Sequence, residues 1–379
     1  MRLSPLQPRS RIDELDGLRA LAVAAVISFH YTIATAWANA VTGLGWAGVD
    51  LFFVLSGFLI TSILLGSRGK PKYFSTFYAR RTLRIFPVYY VVLAVYALSA
   101  VVLGGRQSWL YWLLHALYLS SVAEYFHIWM FAAPVFVYAG LAVLWSLSIE
   151  ELFYLVWAPV VRWVRAERLW VVLAVAIVGA PLLRWHLHTP RFPEYEFLPT
   201  RCDSLAWGAA LALVVAHRQT RPRLAAWLGR LALAAGGVFV LLSVLIGSSR
   251  SELWMATAGY SLLAMCFAGL IGWTVLHAGS GAAPCRLLRL RPARWLGKVS
   301  YTTYLVHYPM LSLAAALGWG LLGRDGLGVV FTLLVAAACW RWLESPLLRL
   351  KDRWRPAMGH LGEPAAGRLR TVEVSARLS

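Results

Sequence analysis

Apolar residues run in blocks of about twenty almost to the end of the 379-residue chain, parted by short polar turns rich in arginine. A helix of that length, at ~1.5 Å per residue, matches a hydrocarbon core ~30 Å thick. The pattern predicts spans at roughly 17–38, 46–66, 83–103, 141–161, 169–187, 202–217, 229–248, 254–277, 298–320 and 325–346. A further apolar piece, about 108–122, is ambiguous by pattern alone. Charge decides it, because Lys and Arg collect on the cytoplasmic side of a membrane. If 108–122 does not cross, 30 of the 36 Lys and Arg fall on the N-terminal side of the bilayer. If it crosses, the bias disappears. The expected fold is therefore an all-α polytopic membrane protein with about ten transmembrane helices. One interfacial or re-entrant segment lies within 104–140, and both termini are cytoplasmic.

The composition agrees: 60% of residues are hydrophobic and 14% charged. A net charge of +19 would suggest nucleic acid in a soluble protein. Here the basic loops account for it, and no nucleic-acid partner is expected. Cys202, Cys266, Cys285 and Cys339 lack metal-ligand spacing, so no metal site and no disulfide is expected. The AWANA stretch ending at Ala40 resembles a signal-peptide cleavage site. The acidic residues before it (Asp13, Glu14, Asp16) argue that the segment is retained. Residues 1–12 read as a cytoplasmic tail, 13–348 as one membrane domain, and 349–379 as a basic, disordered cytoplasmic tail that can lie on anionic lipid.

Several residues are of kinds a bilayer normally excludes. Arg19 stands at the mouth of the first span and His30 lies ~16 Å deeper, near the midplane. Counted from the opposite side, Glu150 in LWSLSIEELFY reaches a similar depth, with Ser148 two residues before it. A buried carboxylate must be neutral or paired, so depth alone predicts a His30–Glu150 pair. His307 comes ~14 Å in from Lys298 on the ninth span, beside Tyr304. Asp50 and Asp203 lie toward the outer ends of their spans. Arg80, Arg81 and Arg84 share about one turn at the inner mouth of the third. Each has a plain reading: a core histidine, a helix cap, a topology anchor. Converging on one shaft, they also suit chemistry, with guanidinium forks fitted to phosphate at one end.

The successive motifs carry a resemblance. ELDGLRALAV with Arg19 and His30, GVDLFFVLSGFLIT, ARRTLRIFP, WSLSIEELFY, RCDSLAWGAALA and SYTTYLVHYP resemble, in that order, those of the acyltransferase 3 family, over about residues 12–348. The resemblance implies a membrane O-acyltransferase that takes an acyl group, expected to be acetyl, from acyl-coenzyme A. The acceptor would be a hydroxyl of a sugar, polysaccharide or macrolide. It further implies His30 as the catalytic residue, with Glu150 beside it, and donor binding by Arg19, Arg81 and Arg84. Asp50, Ser148, Asp203, Tyr304 and His307 would support or bind substrate. Acyl-coenzyme A is a donor substrate here, and no tightly bound cofactor is expected. In length the chain resembles family members without an appended esterase-like domain. A multi-span transporter with a midplane His/Glu proton relay is the rival reading.

Overall fold

The computed structural model describes residues 12–31, 42–102, 104, 108–125, 140–141, 143–189, 193–217, 221–317 and 321–353. The expected tails therefore lie almost wholly outside the described residues, as does the AWANA stretch. Every regular element among the described residues is helical. The chain opens with α1 (Asp13–Tyr31), α2 (Gly48–Ser67) and α3 (Tyr73–Val102). Two short helices follow, α4 (Trp109–Ala116) and α5 (Ser120–Tyr125), then α6 (Trp145–Trp163), α7 (Ala166–Leu187) and α8 (Leu198–His217). The remainder comprises α9 (Arg221–Ile246), α10 (Tyr260–Leu276), α11 (Ala283–Leu288), α12 (Arg291–Ala316), α13 (Leu321–Cys339) and α14 (Ser345–Arg353). Single π-helical turns, Met255–Gly259 and Trp340–Glu344, precede α10 and α14.

Among the described residues, six helical stretches are long and apolar enough to cross a membrane: α2, α3, α7, α9, α10 and the run from α13 into α14. The chain is a multi-pass membrane protein. Large apolar side chains such as Val101, Val175, Leu233 and Val244 stand exposed along α3, α7 and α9, which suits contact with lipid tails. The four remaining long helices, α1, α6, α8 and α12, are less apolar because they carry the polar residues that sequence reasoning singled out. They sit inside the bundle, packed against α2 and one another.

Helix ends explain two shifts from the expected spans. The basic turn before the third apolar block continues the helix, so Arg80, Arg81 and Arg84 lie on α3 itself. Likewise α8 begins at Leu198, which brings Arg201 and Asp203 into its first turns, fully buried. The ambiguous 108–122 piece breaks in two. The eight residues of α4 reach only ~12 Å, far short of a crossing. The chain then turns at Tyr118, whose φ is 57°. Hydrogen bonds from Tyr89 to the His115 carbonyl (2.8 Å) and from Tyr90 to that of Ala116 (2.8 Å) hold this corner to α3.

Helices α2 and α8 pack along much of their length. The Leu205 carbonyl fills the place where Gly57 would carry a Cβ, and the Val54 carbonyl does the same at Gly208. Small residues let two backbones approach this far in a membrane, where no hydrophobic force drives helices together. Gly57→Ala should therefore lower stability by about 1–3 kcal/mol, the usual cost of overpacking. Gly179→Ala on α7, where nothing lies within 4 Å, should be neutral or slightly stabilising. Thermal unfolding in detergent compares the two, and equal melting temperatures would refute the interlock.

Candidate functional site

Three arginines from two helices line one cavity: Arg19 of α1 with Arg81 and Arg84 of α3. Its volume is about 110 Å³. Arg19 keeps a partner in Asp16, one turn back, at 3.0 Å. Arg81 stacks over the Tyr154 ring at 5.2 Å. Glu150 faces the same cavity, where it accepts a 3.0 Å hydrogen bond from Tyr154, whose hydroxyl also bonds Ser56. The lining also includes Val49, Phe52 and Phe53 on α2, with the hydroxyls of Ser146, Ser300 and Tyr304. The Tyr304 hydroxyl pairs with the Ser146 hydroxyl (2.7 Å) and donates to the Val143 carbonyl (2.9 Å).

Behind Tyr304 stands a histidine pair. The His307 ring is 5.7 Å from that of Tyr304, centre to centre. His307 Nδ1 lies 2.6 Å from the Tyr304 carbonyl, and His307 Nε2 lies 3.0 Å from His30 Nδ1. These two contacts assign the tautomers of the neutral rings. A carbonyl only accepts, so the proton of His307 is on Nδ1 and its Nε2 is a lone pair. His30 must then donate from Nδ1, which leaves His30 Nε2 as the basic nitrogen. Tyr308 packs on His30 at 4.6 Å. Next in sequence, Tyr31 donates to the His307 carbonyl (2.6 Å) and bonds Thr332 (2.8 Å), fixing α1 against α12 and α13.

The His30–Glu150 pair expected from depth is not formed. His30 bonds His307, while Glu150 accepts from Tyr154, whose hydroxyl also bonds Ser56. Rise per residue fixes how deep a side chain lies, whereas packing decides which way its helix is turned. The same rule separates Ser148 from Glu150: two residues apart means 200° around a helix. Ser148 bonds Ser121 (2.8 Å) and the Tyr118 carbonyl (2.6 Å), away from the cavity. Ser146, four residues before Glu150, shares its face.

Asp50 and Asp203 are engaged in buried ion pairs. Asp50 Oδ1 accepts from Arg201 (2.7 Å) and Ser204 (3.1 Å). Asp203 takes a two-pronged bond from Arg184 on α7, at 3.0 and 2.7 Å, and a third from Ser261 at 2.9 Å. Arg184 also bonds the Ala256 and Thr200 carbonyls. All four charged side chains are completely buried. Sequence reasoning counted Arg184 and Arg250 only as loop charges. Arg184 lies inside a predicted span, which was the available signal. Glu344 also escaped notice: a π-helical turn aims it at Thr302 of α12, which donates to it. Outside the spans, burial pushes the Glu196 carboxyl up to about 7, against the pull of Arg250.

Comparison with known proteins adds a family. The model of the acyltransferase domain matches residues 12–341. The peptidoglycan O-acetyltransferase OatA of Listeria monocytogenes is 31% identical over 365 residues, 89% of this chain and 56% of that protein. YrhL of Bacillus subtilis is 32% identical over 362 residues, again 89% of this chain and 55% of the relative. The O-acetyltransferase OatA of Staphylococcus aureus is 25% identical over 373 residues, covering 91% and 58%. The chain thus spans a little over half the length of these relatives. No solved structure matches.

Removing one member of a buried pair strands the other charge, at a cost of about 3–5 kcal/mol. Arg184→Leu should accordingly destabilise the protein severely, and adding Asp203→Leu should restore much of the loss. Thermal melts of the single and double variants decide this. A single variant as stable as the parent, or a double no better than the single, would contradict the pairing.

Proposed function

Because the chain belongs to the acyltransferase 3 family, we propose that it is a membrane O-acetyltransferase carrying acetyl from acetyl-coenzyme A to a hydroxyl of a glycan. In this reading all ten long helices cross the bilayer, both termini are cytoplasmic, and the Arg19–Arg81–Arg84 end opens to the cytoplasm. The strong bias of Lys and Arg to that side supports the orientation. One observation carries the donor reading: three guanidiniums converge on a single cavity that also reaches Tyr304, the ring neighbour of His307. Guanidinium forks match phosphate oxygens, and the donor's phosphates are its anionic end. The acetyl-bearing arm then extends along the apolar wall toward Tyr304. The relatives' names support a glycan as acceptor.

His30 Nε2 accepts the proton of the acceptor hydroxyl as its oxygen bonds to the thioester carbonyl carbon. The carbon–sulfur bond then breaks, and the coenzyme A thiolate departs and takes up the proton. His307 steadies the imidazolium by accepting from His30 Nδ1. Tyr304 lines the cavity and its ring lies 5.7 Å from that of His307, so in this reading transfer requires the ring to turn aside, breaking its bonds to Ser146 and Val143. A transporter would need no such donor site. Purified protein with labelled acetyl-coenzyme A distinguishes the two readings, since only the enzyme turns the thioester over.

His30→Ala should abolish transfer while the protein still inserts and melts normally; near-parent activity would remove His30 from the chemistry. For the donor end, the informative variant carries Lys at both Arg81 and Arg84, which keeps charge and topology but loses the fork. Charge-assisted bonds contribute about 1.5–3 kcal/mol each, so replacing both with Gln should raise KM for acetyl-coenzyme A roughly 10- to 100-fold, and the double Lys variant should raise it less but measurably. KM for an acetyl-pantetheine donor lacking the nucleotide should barely change. Unaltered kinetics with the full donor would leave both arginines as topology anchors.

A further inference from the structure

At the end of the bundle away from the three cavity arginines, guanidinium groups and aromatic rings alternate. Arg250 lies 5.2 Å from the Phe29 ring and 5.1 Å from the Tyr195 ring. Arg201 continues the series, 4.8 Å from Tyr195 and 4.3 Å from Tyr260. The two cations differ in employment. Arg201 is fully buried and committed to Asp50, whereas Arg250 is only half-buried, at the rim. Phe29 is the neighbour of His30 and packs edge-on against it at 5.1 Å.

The loop between α9 and α10 is shaped to deliver Arg250 there. Gly247 takes φ +122°, a conformation other residues resist, and its carbonyl accepts from the Trp254 indole at 3.1 Å. Ser249 and Ser251 bond at 2.8 Å, and Tyr260 donates to the Arg250 carbonyl at 3.1 Å. Glu196 follows Tyr195 in the short turn before α8 and feels the Arg250 charge. Stacking occupies the faces of a guanidinium, so its hydrogen bonds point outward in the plane. A half-buried guanidinium and a carboxyl that feels its charge meet beside the Tyr195 and Phe29 rings, and Phe29 packs on His30. A sugar, whose neighbouring hydroxyls both donate and accept, suits a cation and a carboxyl so placed. An anionic ligand fits less well, because Glu196 would repel it.

We propose that Arg250, Glu196, Tyr195 and Phe29 form the sugar subsite that holds the acceptor and sets its hydroxyl over His30. This rests on the reading of the chain as a glycan-directed acetyltransferase, but its test needs no donor. The neutral disaccharide N,N′-diacetylchitobiose is titrated into the full chain in nanodiscs and followed by saturation-transfer NMR. The parent should bind it, and Arg250→Lys and Glu196→Gln, each checked for a parent-like melt, should weaken binding at least tenfold. Arg324→Lys, at the same end but outside the stack, should bind as the parent does. In turnover assays the two subsite variants should raise the acceptor KM and leave the donor KM unchanged. Parent-like binding by both variants, or no binding by the parent, would overturn the subsite. Binding that follows this pattern without any thioester turnover supports the subsite and removes the acetyl-transfer reading instead.

Discussion

A hydrocarbon medium penalises every charge that lacks a partner, and this chain answers by joining its buried charges across helices. Asp50 of α2 meets Arg201 of α8, and Asp203 of α8 meets Arg184 of α7. Arg201 and Asp203 lie two residues apart, on nearly opposite faces of α8. One pair fixes the rotation of α2, the other that of α7 and, through Ser261, of α10. With α2 so held, Val49, Phe52, Phe53 and Ser56 turn toward Glu150 and Tyr154 and form the cavity wall. Buried ion pairs seldom stabilise as much as well-packed apolar groups would, so their value here is register: they allow few other ways to turn the helices.

Much of this was legible in the sequence, for a definite reason. Rise per residue is nearly constant, so the depths of Arg19, His30, Glu150 and His307 follow from counting. The three arginines do meet in one cavity, because charges at one depth beside one mouth have little choice of neighbour. Rotation was not legible. Whether Glu150 faces His30 or Tyr154 depends on side-chain packing around α6, and no spacing rule encodes that. The 108–122 piece was decided by charge rather than by apolarity, and the break at Tyr118 agrees with that choice. Glu344 was hidden by a π-helical turn, which shifts the face of the helix by part of a turn. Arg250 was hidden by its loop, where only the fold brings Phe29 and Tyr195 to its two sides.

The resulting shaft has two unlike ends. Guanidinium groups gather at one end. At the other a guanidinium, a carboxyl and aromatic rings surround the histidines. Tyr304, tied to Ser146 and Val143, divides them. Under the proposed acetyl transfer, such a partition would keep the donor's thioester from water on the far side.

The central claim is that donor and acceptor enter from opposite faces. Proteoliposomes with the protein in one known orientation, loaded with N,N′-diacetylchitobiose and given labelled acetyl-coenzyme A only outside, test it directly. The account predicts labelled sugar inside vesicles whose Arg19–Arg81–Arg84 end faces out, and none from vesicles of the reverse orientation. Acetylation only when sugar and donor share one side of the membrane would contradict it.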